Sequence, residues 1–176
     1  MADQAKIRQH LDACRFLSLE SFGPHQVGDS QFDLILEVAE LKSQAPQAGN
    51  QTWDTETLAS LDIQTSEDVL RLLENANRLV VSPDSAIFTI RFEDYASFQI
   101  MNETMTLPET DEDFSKKLRS YEKSRFLDYM ATATCASDWL SEPLRHFRVI
   151  CVNHIIDVAC IEAPIISTKP ARNFDA

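Results

Sequence analysis

The fold is decided by residues 145–162, RHFRVICVNHIIDVACIE, where two runs rich in β-forming residues flank Asn153 and His154. Asn readily adopts the positive φ angle that a tight two-residue turn requires. The runs Arg145–Val152 and Ile155–Glu162 therefore predict a β-hairpin whose loop is those two residues.

Side chains along a strand point alternately to two faces. One face of this hairpin is wholly apolar, with Phe147, Val149, Cys151, Ile156, Val158 and Cys160. The other face places Arg148 and Asp157 as diagonal neighbours that can form an ion pair. It also carries four aliphatic side chains: Ile150, Val152, Ile155 and Ile161. Such a face is too apolar to remain in water, so we expect another part of the chain, or a second copy in a homo-oligomer, to cover it.

Another hairpin is predicted over residues 86–102, with an odd-numbered loop centred on Asp94 that brings its two apolar faces together. Residues 114–134 lie between the hairpins and carry an apolar stripe at helical spacing. The acids of Glu109–Asp113 suit a helix N-terminus. The order hairpin, helix, hairpin predicts an α+β fold, in which one antiparallel sheet carries the long helix on one face.

The N-terminal part predicts mainly helix. Residues 3–18 repeat apolar side chains at helical spacing, and Glu67–Asn77 predicts a second helix. Phe32–Leu41 favours a strand, Leu79–Val81 a further short strand, and the polar residues 43–52 a linker.

We expect a single domain over residues 1–176. Two arrangements of residues 1–78 stay open: an N-terminal subdomain beside an α+β core, residues 79–164, or packing onto the sheet of that core. The tail, residues 165–176, is expected to be loosely held.

The charge distribution is uneven. The formal net charge is −12, and Glu20–Asp68 contains ten acidic residues against the single base Lys42. Nucleic acid is a poor partner for such a surface, because phosphate binding needs Lys and Arg, whereas a basic protein is a good one. Glu37 and Glu40 are candidate contacts in this segment, and Trp139, in a turn-prone loop, is a candidate aromatic anchor.

Several function classes are excluded or disfavoured. With only three glycines, a Gly-rich phosphate-binding loop is excluded. No apolar run has membrane-spanning length and the N-terminus lacks a signal-peptide core, so we expect a cytoplasmic protein, of a composition typical of small acidic bacterial proteins. The four cysteines form no CxxC motif and are expected to be reduced and mostly buried.

Four sets of residues are candidates for a site with chemical function. A metal site at His146, Cys151 and His154 converges poorly, because Cys151 lies on the opposite face from His146. A Cys–His nucleophile would pair Cys135 or Cys160 with one of the four histidines, His10, His25, His146 and His154. The carboxylates considered for acid–base chemistry are Glu93, Asp94, Glu103 and Asp157. An aromatic cage would use Trp53, Tyr95, Tyr121, Tyr129 and Trp139.

A structural role is the better interpretation of each set, so no catalytic, cofactor-binding or metal-ligating residue is predicted. The sequence favours a non-enzymatic protein-interaction module, in its specific form an inhibitor or immunity-type protein that captures a basic partner. The alternative is a small-molecule-binding or hydrolytic enzyme with a pocket between the sheet and the N-terminal part. Convergence of two or more of Glu103, His146, Arg148 and Asp157 in a deep cavity would favour that alternative.

Overall fold

The computed structural model describes residues 2–29, 31–45, 65–66, 77–110, 112–136, 140 and 142–171. The elements are helices α1 (Ala2–Ala13) and α2 (Arg125–Ala133) and strands β1 (Phe16–Gln26), β2 (Phe32–Gln44), β3 (Arg78–Val80), β4 (Ala86–Phe92), β5 (Ser97–Asn102), β6 (Leu118–Tyr121), β7 (Arg145–Ile150), β8 (His154–Cys160) and β9 (Ile165–Pro170). A short 3-10 helix, Glu103–Met105, follows β5. Most of the predicted linker 43–52, the helix predicted over Glu67–Asn77, Trp53 and Trp139 lie outside the described residues.

The strands form two antiparallel sheets that pack face to face. The first has the order β1-β2-β4-β9, with β3 also paired to β2, and the second has the order β5-β8-β7-β6. Apolar side chains from both sheets fill one core, among them Leu36, Phe88, Ile90, Phe92, Phe147, Val149 and Val158. The α+β class is confirmed, but the prediction of one sheet is wrong, because the core lies between two sheets.

The β7–β8 hairpin is confirmed, with its turn one position earlier than predicted. The Cys151 N–H donates to the His154 carbonyl at 3.0 Å, so the turn is Val152–Asn153. Arg148 therefore lies directly opposite Asp157. The pairing differs from the predicted one by two residues, and because side chains alternate with a period of two, every side chain stays on its predicted face.

The predicted hairpin over residues 86–102 is wrong in its pairing. Strand β4 pairs with β2 and β9, whereas β5 pairs with β8 of the other sheet. The turn at Asp94, which has a φ of 51°, carries the chain from one sheet to the other. Alternation of side chains identifies the face of a strand but not its neighbour, which is why this prediction failed.

Residues 114–134 do not form one long helix. Helix α2 begins at Arg125, and the Ser124 Oγ accepts a hydrogen bond from the Leu127 N–H at 3.1 Å as its N-cap. Leu118–Tyr121 forms β6, which pairs with β7. The strand is stabilised by the backbone groups that β7 would otherwise leave unpaired, an interaction that the helical spacing of these residues does not reveal.

The helix predicted over residues 3–18 ends at Ala13, and Phe16–Gln26 forms β1 instead. Strand β1 pairs with β2 at the edge of the first sheet. Pro24 is tolerated there because an edge strand leaves half of its backbone N–H groups outside the sheet.

Helix α1 lies across β9 of the first sheet and β6 of the second. The Gln4 side chain donates to the Ile166 carbonyl and accepts from the Ile166 N–H, both at 2.9 Å. Asp12 accepts hydrogen bonds from the N–H groups of Lys117 and Leu118 at 2.9 and 3.2 Å.

The tail that was expected to be loosely held forms strand β9 over Ile165–Pro170.

Strands β1 and β2, from the N-terminal part, share a sheet with β4 and β9. The division into subdomains at residue 78 stays a prediction, because much of residues 46–76 lies outside the described ranges. Neither α1 nor α2, the helices of the described part, is long and apolar enough to cross a membrane.

Candidate functional site

The outer face of the second sheet, which points away from the inter-sheet core, is covered by the chain itself. Phe126 and Met130 of α2 pack against Ala159 of β8. Beside them, charged side chains of β6, β7 and β8 are buried beneath the segment that follows β5. We call the following seven residues the outer-face cluster: Gln99, Glu112, Arg119, Tyr121, His146, Arg148 and Asp157.

Asp157 is the centre of this cluster. Its carboxylate accepts two hydrogen bonds from Arg148, at 2.6 and 3.0 Å, and one from Gln99 at 2.9 Å. His146 Nε2 lies 2.8 Å from the same carboxylate. Burial alone would raise the pKa of Asp157, but the hydrogen bonds from His146 and Arg148 lower it to about 2. The carboxylate is therefore ionised at neutral pH and can only accept, so His146 carries a proton on Nε2.

Glu112 is a second acidic centre, on the segment that covers the sheet. It forms an ion pair with Arg119, lies 3.7 Å from Arg148, and accepts a hydrogen bond from the Tyr121 hydroxyl at 3.1 Å. Burial and the nearby Glu112 charge raise the pKa of Tyr121 to about 12. Burial opposes the charge on Arg148, but its hydrogen bonds to Asp157 raise its pKa overall. The buried charges are thus paired with one another rather than solvated.

Ser124, His146 and Asp157 form a continuous hydrogen-bonded row. The Ser124 Oγ lies 2.9 Å from His146 Nδ1, and the order of the three residues is that of hydrolase triads. A nucleophile must be reachable by its substrate, however, and both Ser124 and His146 are buried. Ser124 also accepts the N-cap hydrogen bond of α2. The row therefore anchors the start of α2 to the sheet.

A groove of about 290 Å³ opens beside the outer-face cluster. Its apolar lining is Met101, Met105, Leu107, Phe126 and Tyr129, and its polar lining is Gln99, Thr106, Glu109, Arg125, Arg148 and Asp157. Met105, Leu107 and Tyr129, which we call the rim, are 82%, 67% and 59% exposed. Polar groups beneath a ring of apolar side chains suit a bound group that has an apolar body and a polar end.

The predicted interaction residues that the structure describes lie on two different sheets, with Ile150 directly opposite Ile155 at the turn end of the β7–β8 hairpin. Val152, at the β7–β8 turn, is 44% exposed, Ile150 and Ile161 are half-buried, and Ile155 is only 5% exposed. The homo-oligomer interface stays a prediction, but Ile155 has little surface to contribute to it. Trp139 lies outside the described residues.

The two predicted acidic contacts lie on β2, in the other sheet. Glu37 pairs with Lys169 at 2.9 Å, and Glu40 lies 3.9 Å from Lys42. Glu40 also accepts a hydrogen bond from the Ala86 N–H at 3.1 Å. Both carboxylates therefore already form ion pairs within the chain. Their contact with a partner stays a prediction.

The fold brings together only some of the residues that the sequence offers as candidates for chemistry. His146, Arg148 and Asp157 converge, whereas Glu103 is exposed in the 3-10 helix. Cys151 lies in the inter-sheet core, away from His146, so the metal set that the sequence disfavours does not assemble. All four cysteines are free, and three are buried, as expected. Burial raises the pKa of Cys151 and of Cys160 to about 12, which disfavours either thiol as a nucleophile.

Sequence reasoning missed Glu112 and Ser124. Glu112 was interpreted as one of several acids that favour a helix N-terminus, and no local pattern links it to Arg119 across a turn. Ser124 carried a usable signal, because a Ser placed just before an apolar helical repeat is a typical N-cap.

Comparisons of the chain with protein-family models, with curated protein sequences and with solved structures gave no match.

Proposed function

We propose that this protein is a protein-interaction module without catalytic chemistry, and that it binds its partner through the groove beside the outer-face cluster. The observation that carries the proposal is the rim: Met105, Leu107 and Tyr129 are all large, apolar and more than half exposed around one opening. Apolar side chains grouped in this way are typical of sites that receive an anchoring side chain from a partner. Methionine adapts well to such a contact because its side chain is flexible and polarisable.

The shape of the groove supports a protein partner over a free small molecule. Small-molecule pockets enclose most of their ligand and usually measure roughly 300–1,000 Å³. This groove, at about 290 Å³, is near the lower end of that range, but its lining side chains are mostly in contact with solvent, so it leaves a bound molecule largely open to water. It can enclose one side chain of a partner, while the exposed rim contacts the surface around that side chain.

The net charge of −12 supports a basic partner, because opposite charge accelerates encounter. This is the whole basis of the inhibitor or immunity-type form of the proposal. Several acids of the described part are already paired, among them Asp33 with Arg91 and Glu37 with Lys169. We therefore assign long-range attraction to the net charge, and specificity to the groove.

The test is affinity capture from a lysate at low and high salt, with wild type and two single variants. Leu107→Asp places a charge in the rim, whereas Val27→Asp changes an equally apolar, exposed residue in the β1–β2 loop, outside the groove. We expect a partner that wild type and Val27→Asp retain equally and that Leu107→Asp loses. Binding of the purified partner, measured by calorimetry, should weaken about tenfold or more for Leu107→Asp only. Equal affinity of the two variants would overturn the proposal.

A second candidate function is supported by the convergence of His146, Arg148 and Asp157 beside the groove. It is a small-molecule-binding or hydrolytic enzyme, with its pocket on the outer face of the second sheet rather than beside the N-terminal part. Ester hydrolysis by wild type and Asp157→Asn distinguishes the two functions. A hydrolase would lose about 100-fold or more in kcat/KM on this substitution, whereas an interaction module has no activity above the buffer rate to lose.

A further inference from the structure

A separate cluster of potential metal ligands lies where α1 ends. His10, in the last turn of α1, and Cys14, one residue beyond the helix, are four positions apart and lie on the same side. Glu40 of β2 faces them. One ligand atom of each residue, a ring nitrogen, the thiol sulfur and a carboxylate oxygen, lies within 4.8 Å of the other two.

The fold holds two of these three side chains in place. Leu34, Leu36 and Val38 of β2 point into the inter-sheet core, and Glu40 continues that row at its end. The Glu40 carboxylate accepts a hydrogen bond from the Ala86 N–H at 3.1 Å. Cys14 is buried among the core side chains. The sulfur and the carboxylate are therefore positioned by the backbone of two different elements.

The third side chain is free to adjust. His10 is exposed, and its ring contacts Phe88 edge-on, with 5.2 Å between ring centroids. Ligand atoms around a tetrahedral zinc ion are separated by roughly 3.5 Å, given metal–ligand bonds of about 2.0–2.3 Å. Rotation of the His10 ring, with a side-chain adjustment of Glu40 that keeps its hydrogen bond to the Ala86 N–H, would bring the three ligand atoms from within 4.8 Å of one another to that separation.

The charges around the cluster allow a cation. Lys42 lies 3.9 Å from Glu40, and Lys117 also acts on Cys14 by its charge, but Lys42 pairs with Asp84 at 2.6 Å, which offsets its charge. Burial and the Glu40 charge raise the pKa of the Cys14 thiol to about 11, so a role as a free nucleophile is disfavoured. A metal ion changes this, because it binds the thiolate and releases the proton to solvent.

We propose that His10, Cys14 and Glu40 bind a zinc ion, with the fourth position left to water. One nitrogen, one sulfur and one oxygen donor form a set that suits zinc better than calcium or magnesium, which prefer oxygen ligands alone. The site would fasten the end of α1 to β2. It is independent of the groove, which lies on the other sheet.

The test is titration of the reduced, chelator-treated protein with Co²⁺, followed by displacement with Zn²⁺. Cobalt bound to a thiolate in a tetrahedral site gives a near-ultraviolet charge-transfer band and strong visible bands. We expect both at one equivalent in wild type, and loss of the charge-transfer band in Cys14→Ser. His10→Ala and Glu40→Gln should each weaken binding about tenfold or more.

Two matched controls exist. Cys135→Ser and His25→Ala change an exposed cysteine and an exposed histidine outside the cluster, and both should bind cobalt as wild type does. Because Cys14 is buried and its variant can lose stability, His10→Ala, at an exposed position, provides the second measurement. Wild type without a thiolate band, or His10→Ala with wild-type affinity, would overturn the proposal.

Discussion

The two faces of the second sheet are both buried, but by different chemistry. The inner face contributes only apolar side chains to the inter-sheet core, such as Phe147, Val149 and Val158. The outer face buries His146, Arg148 and Asp157 just as completely. One strand thus carries a fully buried aliphatic residue, Val158, beside a fully buried carboxylate.

The two faces differ in how strongly the contribution of one side chain to stability depends on the side chains around it. An apolar side chain gains free energy in proportion to the surface that it removes from water, so partial loss costs a proportionate amount. A buried charge is tolerated only while its partners are present, and removing one partner leaves the others unpaired. The inner face should therefore respond gradually to substitution and the outer face abruptly.

The largest effect is expected for Asp157→Ala. The substitution leaves Arg148 and His146 buried without their shared carboxylate, which should lower the free energy of unfolding by about 3–5 kcal/mol. Val158→Ala, on the adjacent inner-face position, removes two methyl groups and should cost about 2 kcal/mol. Urea unfolding of both variants at neutral pH measures the difference. Equal losses would mean that the two faces respond alike.

A smaller effect is expected from acid. The pKa of Asp157 is lowered to about 2 from an ordinary value of 3.8, so its contribution is complete above the ordinary value and is lost as pH falls through the lowered one. Wild type should lose about 2 kcal/mol of unfolding free energy in this way between about pH 4 and pH 2.

Asp157→Asn should lack this part of the pH dependence, whereas Val158→Ala should keep it. Urea unfolding at several pH values across that range compares the three proteins. Parallel curves for wild type and Asp157→Asn would contradict the assignment to Asp157.

An effect of about 1–2 kcal/mol is expected for Ser124→Ala. The variant loses the N-cap hydrogen bond to Leu127 and the contact with His146, which together join α2 to the outer face. Ser120→Ala, at an exposed position of β6, is the matched control and should leave thermal stability unchanged. If both variants unfold at the wild-type temperature, Ser124 does not anchor α2.

The smallest effect is expected on the surface of the first sheet. Lys169 and Glu37 form an ion pair at 2.9 Å, but both side chains contact solvent. Lys169→Ala should therefore change the free energy of unfolding by less than about 1 kcal/mol, against the much larger loss for the buried carboxylate Asp157. Denaturation of wild type and Lys169→Ala at low and high salt measures this change. A large loss of unfolding free energy that persists at high salt would mean that the ion pair is not a solvent-screened surface interaction.

The sequence predicted the face on which a strand residue lies, because alternation is a local pattern. It did not predict which strands pair when they are far apart in the chain. Phe147 and Arg148 were placed on the correct faces, and Arg148 was matched with Asp157, because a two-residue period can be identified locally. The pairing of β4 with β2 and β9 joins residues far apart in the chain, and nothing in β4 itself specifies it.

The residues of the candidate site were predictable where they depend on the hairpin, but not where they depend on the rest of the fold. Arg148 and Asp157 lie on two strands of one hairpin, so their proximity followed from the predicted hairpin. His146 becomes a neighbour of Asp157 only in the observed register, where it lies opposite Ala159. Glu112 reaches Arg119 only because Leu118–Tyr121 is a strand rather than part of a helix. Once that segment was assigned to a helix by its apolar spacing, the carboxylate that completes the cluster could not be placed.

The position of α1 has a consequence for the behaviour of the protein in concentrated solution. Strands β9 and β6 are the outermost strands on one side of the sandwich, and exposed edges of this kind invite strands from other molecules to add to a sheet. Gln4 occupies both backbone groups of Ile166, Asp12 accepts from the N–H groups of Lys117 and Leu118, and Arg8 donates to the Leu118 carbonyl at 3.0 Å. A single helix thereby blocks intermolecular strand addition at one edge of each sheet, and its detachment would turn these two closed edges into two sites for aggregation.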